Sequence, residues 1–221
     1  MEYPLSLALV DFLPVLAMAT GVTLLVARVG ALAGPKVTRA ALAGGTLVVI
    51  GGALKATWKT IVALGGPDIV WMAKAQFFLL GPGFTLLAWA LLSVRPGEAG
   101  RRIAPLWAFV AFALIGVVTA AGVGATWPLL VVTTASATLL AVRMILLAQK
   151  SGDTVAMALL GFNILGTYSM GMLAGQPEQT ITLQWFEESL NTCVWTAFAV
   201  AVWRLTRAGR ALTHVRAVSA S

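Results

Sequence analysis

Residues Ala40–Leu64 read AALAGGTLVVIGGALKATWKTIVAL, a stretch without proline whose only charges are Lys55 and Lys59. Coiled at 1.5 Å per residue it makes a helix about 37 Å long, more than the roughly 30 Å of a bilayer's hydrocarbon core. The rest of the chain has the same character. Of 221 residues, 59% are hydrophobic and 10% charged, and the mean hydropathy is +0.91. Soluble domains carry about 45–50% apolar and about 25% charged residues, so a water-soluble globule of this composition would expose far too much apolar surface. The 22 glycines and 8 tryptophans suit membrane helices and their interfacial anchors.

Working outward from this stretch, apolar runs of spanning length recur at about 5–29, 40–64, 69–94, 105–124, 127–149, 154–173 and 181–205. Short breaker-rich segments separate them, among them Gly34-Pro35, Gly65-Gly66-Pro67-Asp68, Arg95-Pro96-Gly97, Trp127-Pro128, Ser151-Gly152-Asp153 and Gln176-Pro177-Glu178. The pattern predicts an all-α integral membrane protein. It is one seven-transmembrane-helix bundle over 1–205, followed by a basic tail over 206–221. Met1-Glu2-Tyr3-Pro4 lacks the basic start of a secretory signal, and the apolar stretch after it is too long for one, so the first span is expected to be retained.

The basic residues orient the bundle. Arg28, Lys36, Arg39, Arg95, Arg101, Arg102, Arg143, Lys150, Arg204, Arg207, Arg210 and Arg216 all fall on one side, which also holds Glu98 and Asp153. The opposite side has Glu2, Asp68 and Glu178 and no Lys or Arg. The positive-inside rule then puts the N-terminus outside and the C-terminus in the cytoplasm, as expected of a multi-pass protein of the cell membrane (the inner membrane, if bacterial). The net charge of +7 is thus an orientation signal and not a nucleic-acid footprint. The expected contacts of the basic face are anionic lipid head groups. A homo-oligomer or a partner in a membrane complex stays open.

Six charges remain inside spans: Asp11, Lys55, Lys59, Lys74, Glu187 and Glu188. Each costs about 2.5–3.5 kcal/mol at a helix centre, so they must be paired, hydrated or near an interface. Their positions along the spans place all six in one layer, roughly 7–14 Å below the outer boundary. Two readings fit that layer. The charges are either interhelical ion pairs and snorkelling lysines, or the lining of a polar cavity open to the outside. The convergence of six ionisable groups from four spans favours the cavity.

Helical spacing adds neutral polar groups to the candidate site. Gln184, Glu188, Asn191 and Trp195 share one stripe of the seventh span, whereas Glu187 points about 100° away, toward another helix or the rim. Asn163, Thr167 and Met170 form a stripe on the sixth. Gly81-Pro82-Gly83 predicts a kink or local unwinding in the third. Gly44-Gly45 and Gly51-Gly52 predict close packing of the second. Trp71-x-x-Lys74 with Trp89 and Trp185-x-x-Glu188 with Trp203 share a frame. Either both tryptophan pairs are interfacial belts, or the third and seventh spans belong to a parallel repeat.

Several chemistries are excluded. Cys193 is the only cysteine and His214 the only histidine, which rules out a disulfide framework and predicts no haem or zinc site. The seven-span plan is similar to that of rhodopsins and G-protein-coupled receptors in topology alone. Retinal binding would need a lysine in the seventh span, and there is none. Intramembrane hydrolases of the ceramidase and adiponectin-receptor type need several histidines. No cofactor is therefore expected.

The primary expectation is a membrane protein that binds or transports a small anionic or zwitterionic solute, or protons, with lysines attracting the solute and Asp11 and Glu188 as counter-ions or proton acceptors. Two alternatives remain open. One is a receptor-like sensor or accessory subunit, and the other a metal-independent intramembrane enzyme acting on a lipid or isoprenoid.

Overall fold

A computed structural model describes residues 4–94, 105–174 and 180–218. Among them are eight helices and no strand: α1 (Leu5–Val10), α2 (Phe12–Leu32), α3 (Pro35–Ala63), α4 (Val70–Ser93), α5 (Leu106–Val123), α6 (Trp127–Lys150), α7 (Thr154–Ala174) and α8 (Ile181–Val218). Six segments are long and apolar enough to cross a membrane: α1 and α2 together, then α3, α4, α5, α6 and α7. The seventh expected span lies within α8, whose apolar character is diluted by Glu187, Glu188, Asn191 and its arginines. Glu2, Arg95, Glu98, Arg101, Arg102 and Glu178 lie outside the described residues, as do the side chains of Arg210, His214 and Arg216.

Three helix ends depart from the expected ones, each for a local reason. The first span is divided at Asp11. Pro14 has no N–H to offer the Val10 carbonyl and its ring crowds that group, so α1 stops at Val10 and α2 begins with the proline in its first turn. Asp11 makes no side-chain cap there, which leaves its carboxylate available for a tertiary contact. α3 starts at Pro35 and not near Ala40, because extended Gly34 places the proline at the first helical position, where a missing donor costs nothing. At the far end α8 continues to Val218, so most of the expected tail extends the last helix.

Of the kink or local unwinding expected at Gly81-Pro82-Gly83, the unwinding does not occur: α4 is helical throughout, with Pro82 inside it. The two glycines are spent on contacts instead. A Cβ on Gly83 would come within 2.9 Å of the Gly44 carbonyl, and one on Gly81 would meet Thr133 and Val132 of α6 at 3.4 Å. The glycine pairs of α3 divide their work by helical phase. Gly44 and Gly51, seven residues apart, lie against α4, while Gly45 and Gly52 lie against Val22 and Met18 of α2. α3 is thereby wedged between two neighbours at backbone distance, as small residues permit in membrane bundles.

Neighbouring helices close a ring in the order α2, α3, α4, α6, α7, α8 and back to α2, with α5 outside against α4 and α6. The largest apolar core lies toward one end of this ring. It includes Leu25, Val29, Leu87, Leu91, Met144, Leu160, Phe198 and Val202. Arginines finish that end. The Arg28 guanidinium donates to the Leu205 carbonyl, and Arg143 Nη2 donates to Val94 O at 3.2 Å where α4 stops. Arg204 Nε reaches both Asp153 oxygens at 3.0 Å. Asp153 also caps α7, accepting the Ala156 amide at 3.0 Å, and that amide together with Arg204 holds its carboxyl below the usual 3.8.

Candidate ligand cavity and ion triad

At the opposite end three helix segments bring charges together. Lys59, one turn from the end of α3, extends its ammonium between two carboxylates, 3.1 Å from Asp11 Oδ2 and 2.5 Å from Glu188 Oε1. The three residues are 6%, 4% and 3% exposed. Asp11 and Glu188 are also within side-chain hydrogen-bond reach of each other. A lysine this deep stays charged only where partners replace its water, and two carboxylates do so here. Glu188 Oε2 is buried and has no hydrogen-bond partner among the described residues.

Beside the triad a cavity of about 210 Å³ lies within the ring of six helices. Its wall runs along α6 from Thr133 to Met144, roughly 16 Å of helix. The triad end is polar: Asp11 from the α1–α2 junction, Lys55, Gln76, Thr133, Thr134, Thr167 and Asn191. The deeper end is apolar and aromatic. Phe84 stacks on Trp195 with centroids 5.9 Å apart, Phe198 meets the same indole edge-on at 5.5 Å, and Leu140, Ala141 and Met144 complete the wall. The space is thus polar toward the triad and apolar toward Met144.

The expected residues divide into those the fold gathers and those it does not. Asp11, Lys55, Lys59, Glu187 and Glu188 form one electrostatic cluster. Asp11, Lys55, Asn163 and Asn191 line the cavity. Asn163 is fixed in place, its amide donating to Val194 O of α8 at 3.1 Å, and Thr167 and Met170 continue its stripe along the wall. Gln184 is buried outside the cavity lining, and Glu187 is half-buried with Oε1 shielded from solvent. Lys74 does not join them. It is exposed on α4, so five of the six intramembrane charges converge. The frame shared by Trp71 and Trp185 has no structural counterpart either: Lys74 is exposed where Glu188 is buried, and Trp89 is core where Trp203 is exposed.

Lys55 differs from Lys59 in one respect. It lines the cavity and makes no ion pair among the described residues. The two lysines are one turn apart on the same face, and Lys59, nearer the helix end, takes both carboxylates. Sequence reasoning placed Trp195 in the stripe of the seventh span but missed Gln76, the Thr133-Thr134 pair and the floor's two phenylalanines, Phe84 and Phe198. Adjacent threonines inside the apolar run of α6 were the available signal for the second. No family model, curated protein or solved structure matches this chain.

Proposed function

We propose that this chain is a seven-span protein of the cell membrane that binds, and carries across it, a small amphiphilic anion or zwitterion. The acidic group sits at Lys55 and the apolar part reaches toward Trp195 and Met144. The observation that carries this reading is the ammonium of Lys55, without an ion pair among the described residues, at the polar end of a cavity whose other end is apolar. Lys55 is half-buried and has no ion pair of its own, and an anionic ligand would supply one in a setting where water solvates the ammonium poorly. Intramembrane ionisable groups that face a cavity mark solute pathways.

α8 serves as the seventh span in this reading. It packs between α2 and α7 and meets α3 through Glu188 near its start and α2 through Leu205 some 17 residues later, about 26 Å along the helix. The positive-inside rule puts the arginine end in the cytoplasm and the triad end outside. Enzymatic use of Asp11 or Glu188 on a long lipid is less well supported, because Lys59 holds both carboxylates and the cavity measures only about 210 Å³.

The test is uptake of radiolabelled octanoate and benzoate into proteoliposomes holding the full chain. Saturable uptake that Lys55→Met abolishes and Lys55→Arg partly keeps supports the reading. Equal uptake by wild type and Lys55→Met removes Lys55 from the pathway.

A further inference from the structure

Resting on that reading of Lys55, we propose that the cavity takes up its anion together with one proton, and that the proton is held between the carboxyl groups of Asp11 and Glu188. The charged groups at the cavity's polar end are few, two in its lining (Asp11 and Lys55) and three beside it. The α1–α2 junction supplies Asp11, α3 supplies Lys55 and Lys59, and α8 supplies Glu187 and Glu188. The side chains of α4, α6 and α7 that line the cavity are all uncharged, the polar ones including Gln76, Thr133 and Asn163. Three acids thus face two lysines. When all are ionised the cluster carries one net negative charge before any ligand arrives.

An incoming carboxylate makes that two, inside a bundle whose surroundings screen charge poorly. One proton restores the original balance, and the geometry provides its place. Asp11 and Glu188 lie within hydrogen-bond reach of each other on the same ammonium, and Glu188 Oε2 has a free lone pair. A proton on one carboxyl, donated to the other, replaces repulsion between like charges with a hydrogen bond. Asp11 ties the two events together because it belongs both to the triad and to the wall that carries Lys55. No bond other than the O–H is made or broken. Linkage makes the coupling mutual: a bound anion raises the affinity for the proton, and the proton raises the affinity for the anion.

The sign of the pH dependence follows. Binding that takes up a proton weakens as pH rises, up to about tenfold in Kd per pH unit where the empty site is deprotonated and the filled site protonated. The experiment is calorimetric titration of benzoate and octanoate into the full chain in nanodiscs. It is run between about pH 6 and pH 8 in two buffers of different protonation enthalpy. The expected result is a buffer-dependent heat equivalent to about one proton per anion, together with a Kd that rises with pH. In Glu188→Gln, or in Asp11→Asn if that variant folds better, the buffer dependence disappears and Kd becomes flat with pH. Saturable binding with buffer-independent heats in the wild type overturns the coupling and leaves the anion site standing. Undiminished proton uptake in both variants overturns the assignment to this pair. No saturable binding of either acid overturns the site itself.

Discussion

Gly44 of α3 and Gly83 of α4 face each other backbone to backbone: a methyl on Gly44 would lie 2.7 Å from the Gly83 carbonyl oxygen, and one on Gly83 2.9 Å from that of Gly44. These carbonyl oxygens are main chain and cannot rotate aside, and Val48 Cγ2 crowds Gly83 as well, at 2.7 Å. Gly44→Ala and Gly83→Ala should each cost about 1–3 kcal/mol, as overpacking does. Gly161→Ala, which meets nothing within 4 Å, should be neutral or slightly stabilising, since alanine is the better helix former. Thermal unfolding in detergent, with the three variants side by side, checks the ordering.

Removing the shared ammonium leaves two adjacent buried carboxylates. Lys59→Met should therefore destabilise by about 3–5 kcal/mol, the usual cost of breaking a buried ion pair from one side. Adding Glu188→Gln to that variant should recover part of the loss. If Lys59→Met unfolds at the wild-type temperature, the triad contributes no stability.

At the other end of the bundle Asp153 combines a helix cap with an ion pair. Because its carboxyl is held below the ordinary 3.8, its contribution is fully present above that value and is lost as pH falls through the depressed one. Asp153→Ala should cost about 1 kcal/mol at neutral pH through the lost cap. Asp153→Asn should cost only a few tenths, because the amide oxygen can still cap and the pair with Arg204 is 37% exposed on the arginine side. Melting temperatures of the three proteins should converge as pH drops below about 4.

The apolar end of the cavity sets the length of the preferred solute in the proposed function. Met144 is fully buried in its floor, so Met144→Ala should deepen the space and shift preference from octanoate toward decanoate. Competition between the two acids in the uptake assay measures the shift. An unchanged ratio places the solute elsewhere.

What could be read from the sequence and what could not follows from the range of the interactions involved. Apolar length is local, so the course of the helices was legible, though the break at Asp11, the start at Pro35 and the extension of α8 were missed. The common level of Asp11, Lys59 and Glu188 was legible too, because it follows from counting along each span. Rotation is less local. The stripe Asn163, Thr167, Met170 was correctly phased because one face of α7 is polar. Lys74 was misplaced because its depth is right and only its direction, set by how α4 packs on α3 and α6, turns it outward. The break at Asp11 was legible in principle, through Pro14 three residues later. Which lysine stays unpaired was not, since that depends on the meeting of α2, α3 and α8 across more than a hundred residues of chain.

The order of helices around the ring has a consequence for how the bundle closes. α8 follows every other described helix in sequence, yet it sits between α2 and α7 and supplies one side of the triad. Without it the other ring helices form an open arc, in which Asp11 and Lys59 have only each other as ion-pair partners. Packing of α8 against α2 and α7 therefore closes the ring and completes the triad and the cavity wall together.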